Sequence, residues 1–304
     1  MRIGEEMRRK VVELDRRYRS TWDARTIAHV LGLGKTTVAK ILREFRGPRP
    51  KRRKAPHTRR TRFLRRDVMW SSDFMRLGWG WLLLTTIDEM SGCVLGWTLV
   101  RSENAAEAIE HALSIIARLG RAPLVWKYDH GSAFMSAIFQ GLLAARKILP
   151  YPIAPRSPWV NGRKERHHQE VHQWLIPLAG AELSRLEIEN EIDEDVMVRN
   201  YVKPRACLGF RRSAEVYHDE AAAIDAKDDV RGRLAQAVID EKAALGAEDP
   251  EEVYAITGSG ERKQRRAIRN ALEKLGLYEE WDTAPLGPSE TRTVNRSELS
   301  NVSI

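Results

Sequence analysis

The order of apolar patterns between residues 67 and 177 constrains this chain most. Three strand-like runs follow one another closely: Val68-Met69-Trp70-Ser71-Ser72-Asp73-Phe74-Met75, then 81–87, then 93–100, with the turn cluster Asp88-Glu89-Met90-Ser91-Gly92 before the third. Connections this short imply an antiparallel meander. Asn104, with Glu107 three residues later, reads as a capping box. It opens a helix whose Ala105, Ala108, Ile109, Ala112, Leu113, Ile116 and Leu119 share one face. Leu124-Val125-Trp126-Lys127-Tyr128 is a short, largely apolar strand that ends at Asp129. A helix over roughly 136–148, a short strand and a helix from Arg163 to before Pro177 follow, with Pro150, Pro152, Pro155 and Pro158 marking irregular chain. Strands first, then strand–helix alternation, predict an α/β fold: a mixed sheet with helices on its faces.

The chain before this region has another character. Residues 1–46 read as three short helices, the last carrying Val38, Ile41, Leu42 and Phe45 at helical spacing after the break Gly32-Leu33-Gly34. Three helices with a glycine-containing turn before the last are what a helix-turn-helix needs. The last helix would enter a major groove, with Lys35, Thr36, Thr37 and Lys40 as its exposed face. Gly34-Lys35-Thr36-Thr37 also looks like the end of a phosphate-binding loop. That motif needs a glycine five positions before Gly34, where this chain has His29. A helical domain without a nucleic-acid role is the plainer alternative.

Residues 47–66 contain no acidic residue and many basic ones, Arg52, Arg53, Arg59 and Arg60 among them. Such a stretch has few apolar residues and repels itself, so it is expected to be a basic linker that cannot fold alone. Between a helix-turn-helix and a further domain it would lie along DNA phosphates. The overall balance agrees, since 51 Lys and Arg against 42 Asp and Glu leave a formal charge of +9, which favours a polyanionic partner. The 304 residues are enough for roughly two domains. No apolar run is long enough to span a membrane, and the first residues lack the apolar stretch of a secretory signal. Two distant cysteines, Cys93 and Cys207, speak against a disulfide framework and suit a reducing cytosol.

Three acids stand out by position. Asp73 falls late in the first strand, Asp129 ends the fourth, and Glu165 opens the helix after the proline-rich stretch. An acid at a strand end often caps a turn, and one in a helix's first turn favours the dipole. Three acids converging at strand ends, where ligands sit in such sheets, would instead repel one another unless they bind cations. Hard oxygen ligands suit Mg²⁺ or Mn²⁺, and two such ions can hold an in-line phosphoryl displacement.

These residues sit in motifs that resemble a known family. Trp70-Ser71-Ser72-Asp73 is similar to the first-acid strand of the retroviral-integrase (DDE) superfamily, here of the bacterial or phage transposase kind. Tyr128-Asp129-His130-Gly131-Ser132-Ala133-Phe134 resembles its Asp-x-Gly-x-x-Phe/Tyr motif. Ser157-Pro158-Trp159-Val160-Asn161-Gly162-Arg163-Lys164-Glu165-Arg166 resembles its Ser-Pro-x-x-Asn-Gly…Glu-Arg segment, with the family's 35 residues between Asp129 and Glu165. Asn200-Tyr201-Val202-Lys203-Pro204-Arg205 and the following Ala206-Cys207-Leu208-Gly209 are similar to its closing segment. The resemblance covers about residues 65–218 and implies an RNase H-like, five-stranded mixed sheet. It implies Asp73, Asp129 and Glu165 as catalytic residues and metal ligands for two Mg²⁺ (or Mn²⁺) ions. The implied reaction is cleavage that exposes a DNA 3′ end, followed by strand transfer. Double-stranded DNA (element ends and target), further copies of the chain on DNA and an accessory ATPase are the implied partners, and a nucleoid-associated place in the cytoplasm the implied location.

Some positions depart from the family pattern. His172 stands where relatives carry Lys or Arg, and His130 where Asn is common after the second acid. Trp159, Asn161, Lys164, Arg166 and His172 are the candidate DNA contacts around Glu165. His167, His168 and His172 do not make a zinc-protease motif, because Gln169 stands where Glu is needed.

The expected organisation is a helix-turn-helix domain (1–46), a basic linker (47–66), an RNase H-like catalytic core (67–218), a helical C-terminal region (219–282) with no strand pattern, and a disordered tail (283–304). Arg262, Lys263, Arg265, Arg266 and Arg269 line a helix in that C-terminal region. Two further readings are a transposase-derived DNA-binding regulator without catalysis and a structure-selective nuclease on the same fold.

Overall fold

The computed structural model describes residues 4–47, 58–154, 162–225, 228–256 and 260–283. Three helices come first: α1 (Glu5–Arg17), α2 (Ala24–Leu31) and α3 (Lys35–Arg46). Their inward residues Val11, Trp22, Ile27, Val38, Ile41 and Leu42 are buried together. Asp23 caps α2 by accepting the Thr26 N–H at 2.8 Å. Gly32 ends α2 at φ +63°, a left-handed conformation that costs glycine nothing. The fully buried Asp15 is matched by Arg46 and by the Ser20 hydroxyl at 2.9 Å.

The next element, β1 (Thr58–Phe63), precedes a five-stranded sheet made of β2 (Met69–Arg76), β3 (Leu82–Asp88), β4 (Val94–Val100), β5 (Val125–Tyr128) and β6 (Leu149–Pro152). The strand order is β4-β3-β2-β5-β6, with β2, β3 and β4 antiparallel and β2, β5 and β6 parallel. This is the mixed sheet expected from the pattern, with the five strands that the resemblance implied. β6 contains Pro150 and Pro152 and lies at the edge, where a missing N–H leaves no ladder bond unmade. The remaining helices are α4 (Ala105–Leu119), α5 (Ser132–Met135), α6 (Ala137–Ala145), α7 (Gly162–Leu175), α8 (Arg185–Met197), α9 (Ser213–Tyr217), α10 (Val230–Ala244) and α11 (Glu261–Lys274), and β7 (Tyr278–Thr283) comes last. Among the described residues no helix is long and apolar enough to cross a membrane.

The two sheet faces are built differently. One face presents Trp70, Leu84, Trp126 and Tyr128, which pack with Ala108, Ala112 and Ile115 of α4 and with Phe134 and Phe139. Gly96 lets α4 approach closely, since a Cβ there would lie 2.6 Å from Ile115 Cγ1. The polar groups of this face are satisfied in one chain across four strands. Trp126 Nε1 donates to Ser72 Oγ (2.8 Å), which meets Thr86 Oγ1 (2.7 Å), and His111 of α4 bridges Thr86 and Thr98 at 2.8 Å each. Burial drives the His111 imidazole down to about 3, so it bridges as the neutral ring.

The other face carries two separate apolar clusters. Met69, Val125, Leu149 and Tyr151 meet Leu234 and Val238 of α10 and Ile268 and Leu272 of α11. Met75, Leu83 and Leu99 meet Val171, Trp174 and Leu175 of α7 and Ile188 and Ile192 of α8.

Two expectations for the chain's outer parts are corrected. Within the expected linker, residues 58–63 form β1, and the C-terminal region ends in a strand. The two pair antiparallel from Thr58↔Thr283 to Phe63↔Tyr278. The basic strand is stabilised by an acidic partner that brings Arg62 opposite Glu279 and Thr61 opposite Glu280. Phe63 and Tyr278, both buried and 5.2 Å apart between ring centroids, anchor the ribbon. Arg52 and Arg53, like residues 284–304 of the expected tail, lie outside the described residues.

Candidate active site

The polar strip between the two apolar clusters holds the candidate site. In the parallel pair β2–β5, Ser71 lies opposite Lys127. Asp73, within β2, and Asp129, just past the carboxyl end of β5, each stand two residues further along, so alternation puts the two aspartates on the same sheet face. Beneath them Lys127 and Glu89 form a buried ion pair, with Arg163 3.6 Å from Glu89. Burial pushes the Glu89 carboxyl up, but Lys127 and Arg163 outweigh it and hold the group below its usual value. Asp73 is mostly covered, with 15 % of its side chain exposed. Asp129 is exposed, and its Oδ1 accepts the Gly131 N–H at 2.9 Å.

Glu165 does not join them in this arrangement, so the three acids expected to converge are not gathered here. The face that α7 turns to the sheet carries Lys164 and His168 instead. Lys164 is fully buried and donates from Nζ to the Thr85 carbonyl at 2.6 Å and to Thr85 Oγ1 at 2.7 Å. Thr85 is the register partner of Asp73, so the ammonium sits beside that carboxylate. Burial lowers the Lys164 pKa to about 7, against the pull of Asp73 and Glu89. His168 Nδ1 lies 4.0 Å from Asp73. Burial, with Lys164 and Arg199 nearby, drives that ring down to about 3, so at neutral pH this contact is not an ion pair. Glu165 is exposed, in one stripe with Gln169 and His172. Among the described residues no three His, Cys, Asp or Glu side chains gather closely enough to hold a metal ion.

The helix phase explains the difference. Val171, Trp174 and Leu175 are the apolar marks of α7 and are buried on the sheet side. Two turns back along the helix, that face carries Lys164, His167 and His168. Glu165 is one residue, about 100°, further round. Lys164 is accordingly corrected as a DNA contact, because its ammonium is buried on Thr85. The same phase argument was available from sequence, and so was Lys127, a charged residue within an otherwise apolar strand that needs a buried acid nearby.

The other candidates sort by exposure. Lys35, Thr36 and Lys40 are exposed on α3 and Thr37 is half-buried. Arg60 is exposed on β1, where Arg59 also lies. Arg166 is half-exposed and bonds Glu170 at 2.8 Å. Trp159 and Asn161 lie outside the described residues. Glu170 is a hub that sequence reading missed. Besides Arg166 it binds Arg199 at 2.7 Å and Lys203 at 3.1 Å. Burial raises its pKa, yet Arg199, Lys203 and Arg205 hold it far below the carboxylate range. Lys203 Nζ also donates to the Thr21 carbonyl at 2.7 Å, and Arg19 binds Glu191 of α8 at 2.7 Å, so the N-terminal helices are docked against α7 and α8.

The chemistry of the donors fits a hard cation in part. Asp73 and Asp129 offer carboxylate oxygens at the mouth of the strip, as Mg²⁺ or Mn²⁺ require, while Glu165 stands apart.

No curated protein matches the chain in sequence. A simian T-cell lymphotropic virus intasome, solved in complex with the PP2A regulatory subunit B56 gamma, is similar at 20% identity over 72% of this chain and 79% of that one, with a TM-score of 0.46. The HTLV-2 integrase catalytic core domain in complex with magnesium is similar at 22% identity over 52% of this chain and 100% of that one, with a TM-score of 0.43. The BIV integrase catalytic core domain is similar at 20% identity over 50% and 93% of the two chains, with a TM-score of 0.41. Residues 64–158 match the family model of the integrase core domain, a span that includes Asp73 and Asp129 and stops before Glu165. This chain thus carries, over residues 64–158, a match to an integrase core domain, and that segment supplies β2 to β6 of the five-stranded sheet described above.

Proposed function

We propose that the protein is a DNA transposase or integrase that exposes a DNA 3′ end and then joins that end to target DNA. The reading rests above all on Asp73 in β2 and Asp129 directly after the neighbouring parallel strand β5, both within the segment that matches an integrase core domain. These two carboxylates would hold divalent metal, with Glu165 completing the set. Bound Mg²⁺ or Mn²⁺, as two ions, would neutralise phosphate charge and lower the pKa of the attacking oxygen. For Glu165 to take part, α7 must turn by about one residue, which withdraws Lys164 from Thr85. DNA is the natural trigger, since it brings negative charge to a helix that carries Arg163, Arg166 and His172.

The exposed Lys35, Thr36 and Lys40 of α3, with Thr37, would read DNA ends as the last helix of a helix-turn-helix. Arg52, Arg53, Arg59 and Arg60 would follow the phosphates, and Trp159 and Asn161 would contact the end near Glu165. Two DNA ends must be held together for joining, so the working form is an oligomer of this chain on DNA, with an ATPase as a candidate helper and the nucleoid as its place. The separation of Glu165 from the two aspartates favours a second reading, a DNA-binding regulator without catalysis.

Nicking and strand joining of labelled element-end DNA in Mg²⁺ or Mn²⁺ separates the two. Wild type is expected to cut and join, and Glu165→Gln to bind DNA but react at least about a hundredfold more slowly, a loss of several kcal/mol in transition-state stabilisation. Equal inertness of both proteins on the cognate ends, with binding intact, would favour the regulator.

A further inference from the structure

Glu261 opens α11, far from Asp129 in sequence, yet it reaches the catalytic loop. Its two carboxylate oxygens lie 3.0 and 3.1 Å from His130 Nε2. The same carboxylate accepts from Arg265 at 2.7 Å, and Arg265 donates to the carbonyl of Pro152, the last residue of β6, at 3.3 Å. Three segments are thereby tied together: the loop after β5, the end of β6 and the first turn of α11. The anchor is firm, because Ala267, Ile268, Ala271 and Leu272 of α11 are buried in the cluster against the sheet.

His130 is the middle residue of a short turn. Asp129 Oδ1 accepts the Gly131 N–H across it at 2.9 Å. The turn is tight, since a Cβ at Gly131 would lie 3.0 Å from Asp129 Oδ1. Fixing the ring of the middle residue therefore restricts the backbone on which the Asp129 carboxylate is carried. A bland account would make Glu261 a helix-start acid that favours the dipole. That account does not explain why both oxygens are aimed at a histidine beside a candidate catalytic aspartate, where another carboxylate adds repulsion.

We propose that Glu261 is a positioning residue for the reaction, holding the Asp129 loop through His130 and so making the C-terminal helices part of the active-site support. This rests on the transposase reading for its catalytic consequence, but not for the structural link itself. Groups that orient a metal-binding side chain from outside typically change activity about 10–100-fold when removed.

The test uses the full chain with two readouts: amide hydrogen exchange over residues 129–135, and the rate of DNA-end nicking in Mn²⁺. Glu261→Ala should speed exchange in that loop and lower kcat about tenfold, with KM for DNA little changed. Glu261→Gln, which keeps an acceptor for the ring N–H, should recover part of both effects. In a His130→Ala background Glu261→Ala should add nothing, whatever either substitution does to overall stability. Unchanged exchange in Glu261→Ala, or full additivity with His130→Ala, would overturn the proposal. If the wild type does not nick DNA, the transposase reading falls, while the exchange data still decide whether Glu261 holds the loop.

Discussion

The two faces of the central sheet solve opposite problems with the same strands. On the α4–α6 face, Trp70, Trp126, Tyr128, Phe134 and Phe139 form one continuous cluster, and the buried hydroxyls and His111 satisfy one another. On the opposite face, charged groups divide the apolar packing in two, and a buried lysine stands beside an aspartate. Burying ions costs several kcal/mol each unless partners compensate fully. The first face therefore supplies stability, and the second gives some of it up to keep carboxylates along the sheet.

Three substitutions can break or sharpen that contrast. The largest effect is expected from Trp126→Ala, which removes a fully buried indole and the Ser72 partner. It should lower unfolding free energy by about 3–5 kcal/mol in urea titrations. A loss below about 1 kcal/mol would mean that the aromatic face is not the main source of stability.

Glu170→Gln comes next. It leaves Arg199 and Lys203 buried without their carboxylate and should cost about 3 kcal/mol near neutral pH. The folded-state pKa of Glu170 is depressed, so its contribution is fully present above the unfolded value, near 4.5, and is lost as the pH falls below that. The gap between wild type and mutant should thus be widest at neutral pH and close in acid. A gap that widened in acid would assign the stabilisation elsewhere.

The smallest effect, and of opposite sign, is expected from Lys164→Met. Replacing a buried ion by an apolar side chain of similar length is often neutral or stabilising, here by about 1 kcal/mol. A higher midpoint in urea together with altered DNA nicking would show a residue kept for function at the expense of stability. A clear loss of stability would make the Lys164–Thr85 contact an ordinary structural bond.

The order of strands and helices was legible because apolar periodicity is local: each element announces itself within about ten residues. Asp73 and Asp129 were legible because strand ends carry the chemistry of such sheets. The side of α7 facing the sheet was harder to see. From Arg163 to Gln169 every residue is polar, so only Val171, Trp174 and Leu175 mark the phase, and the motif drew attention to Glu165 instead. The His130–Glu261 link and the β1–β7 ribbon had no local signal at all. In both, each partner is explained by a residue that the chain reaches only much later. A run of arginines reads as a linker until its acidic partner strand is found.

That ribbon has a consequence for how the molecule is made. β1 is synthesised early, but its partner follows more than two hundred residues later. During synthesis from the N-terminus, Phe63 must wait for Tyr278, and the arginines of β1 for their acidic strand. The three N-terminal helices and much of the sheet can form beforehand from closer contacts. Closing so long a loop is entropically slow, so the seal against α11 is set among the last steps of folding, and the nascent protein carries an open, highly basic strand until then.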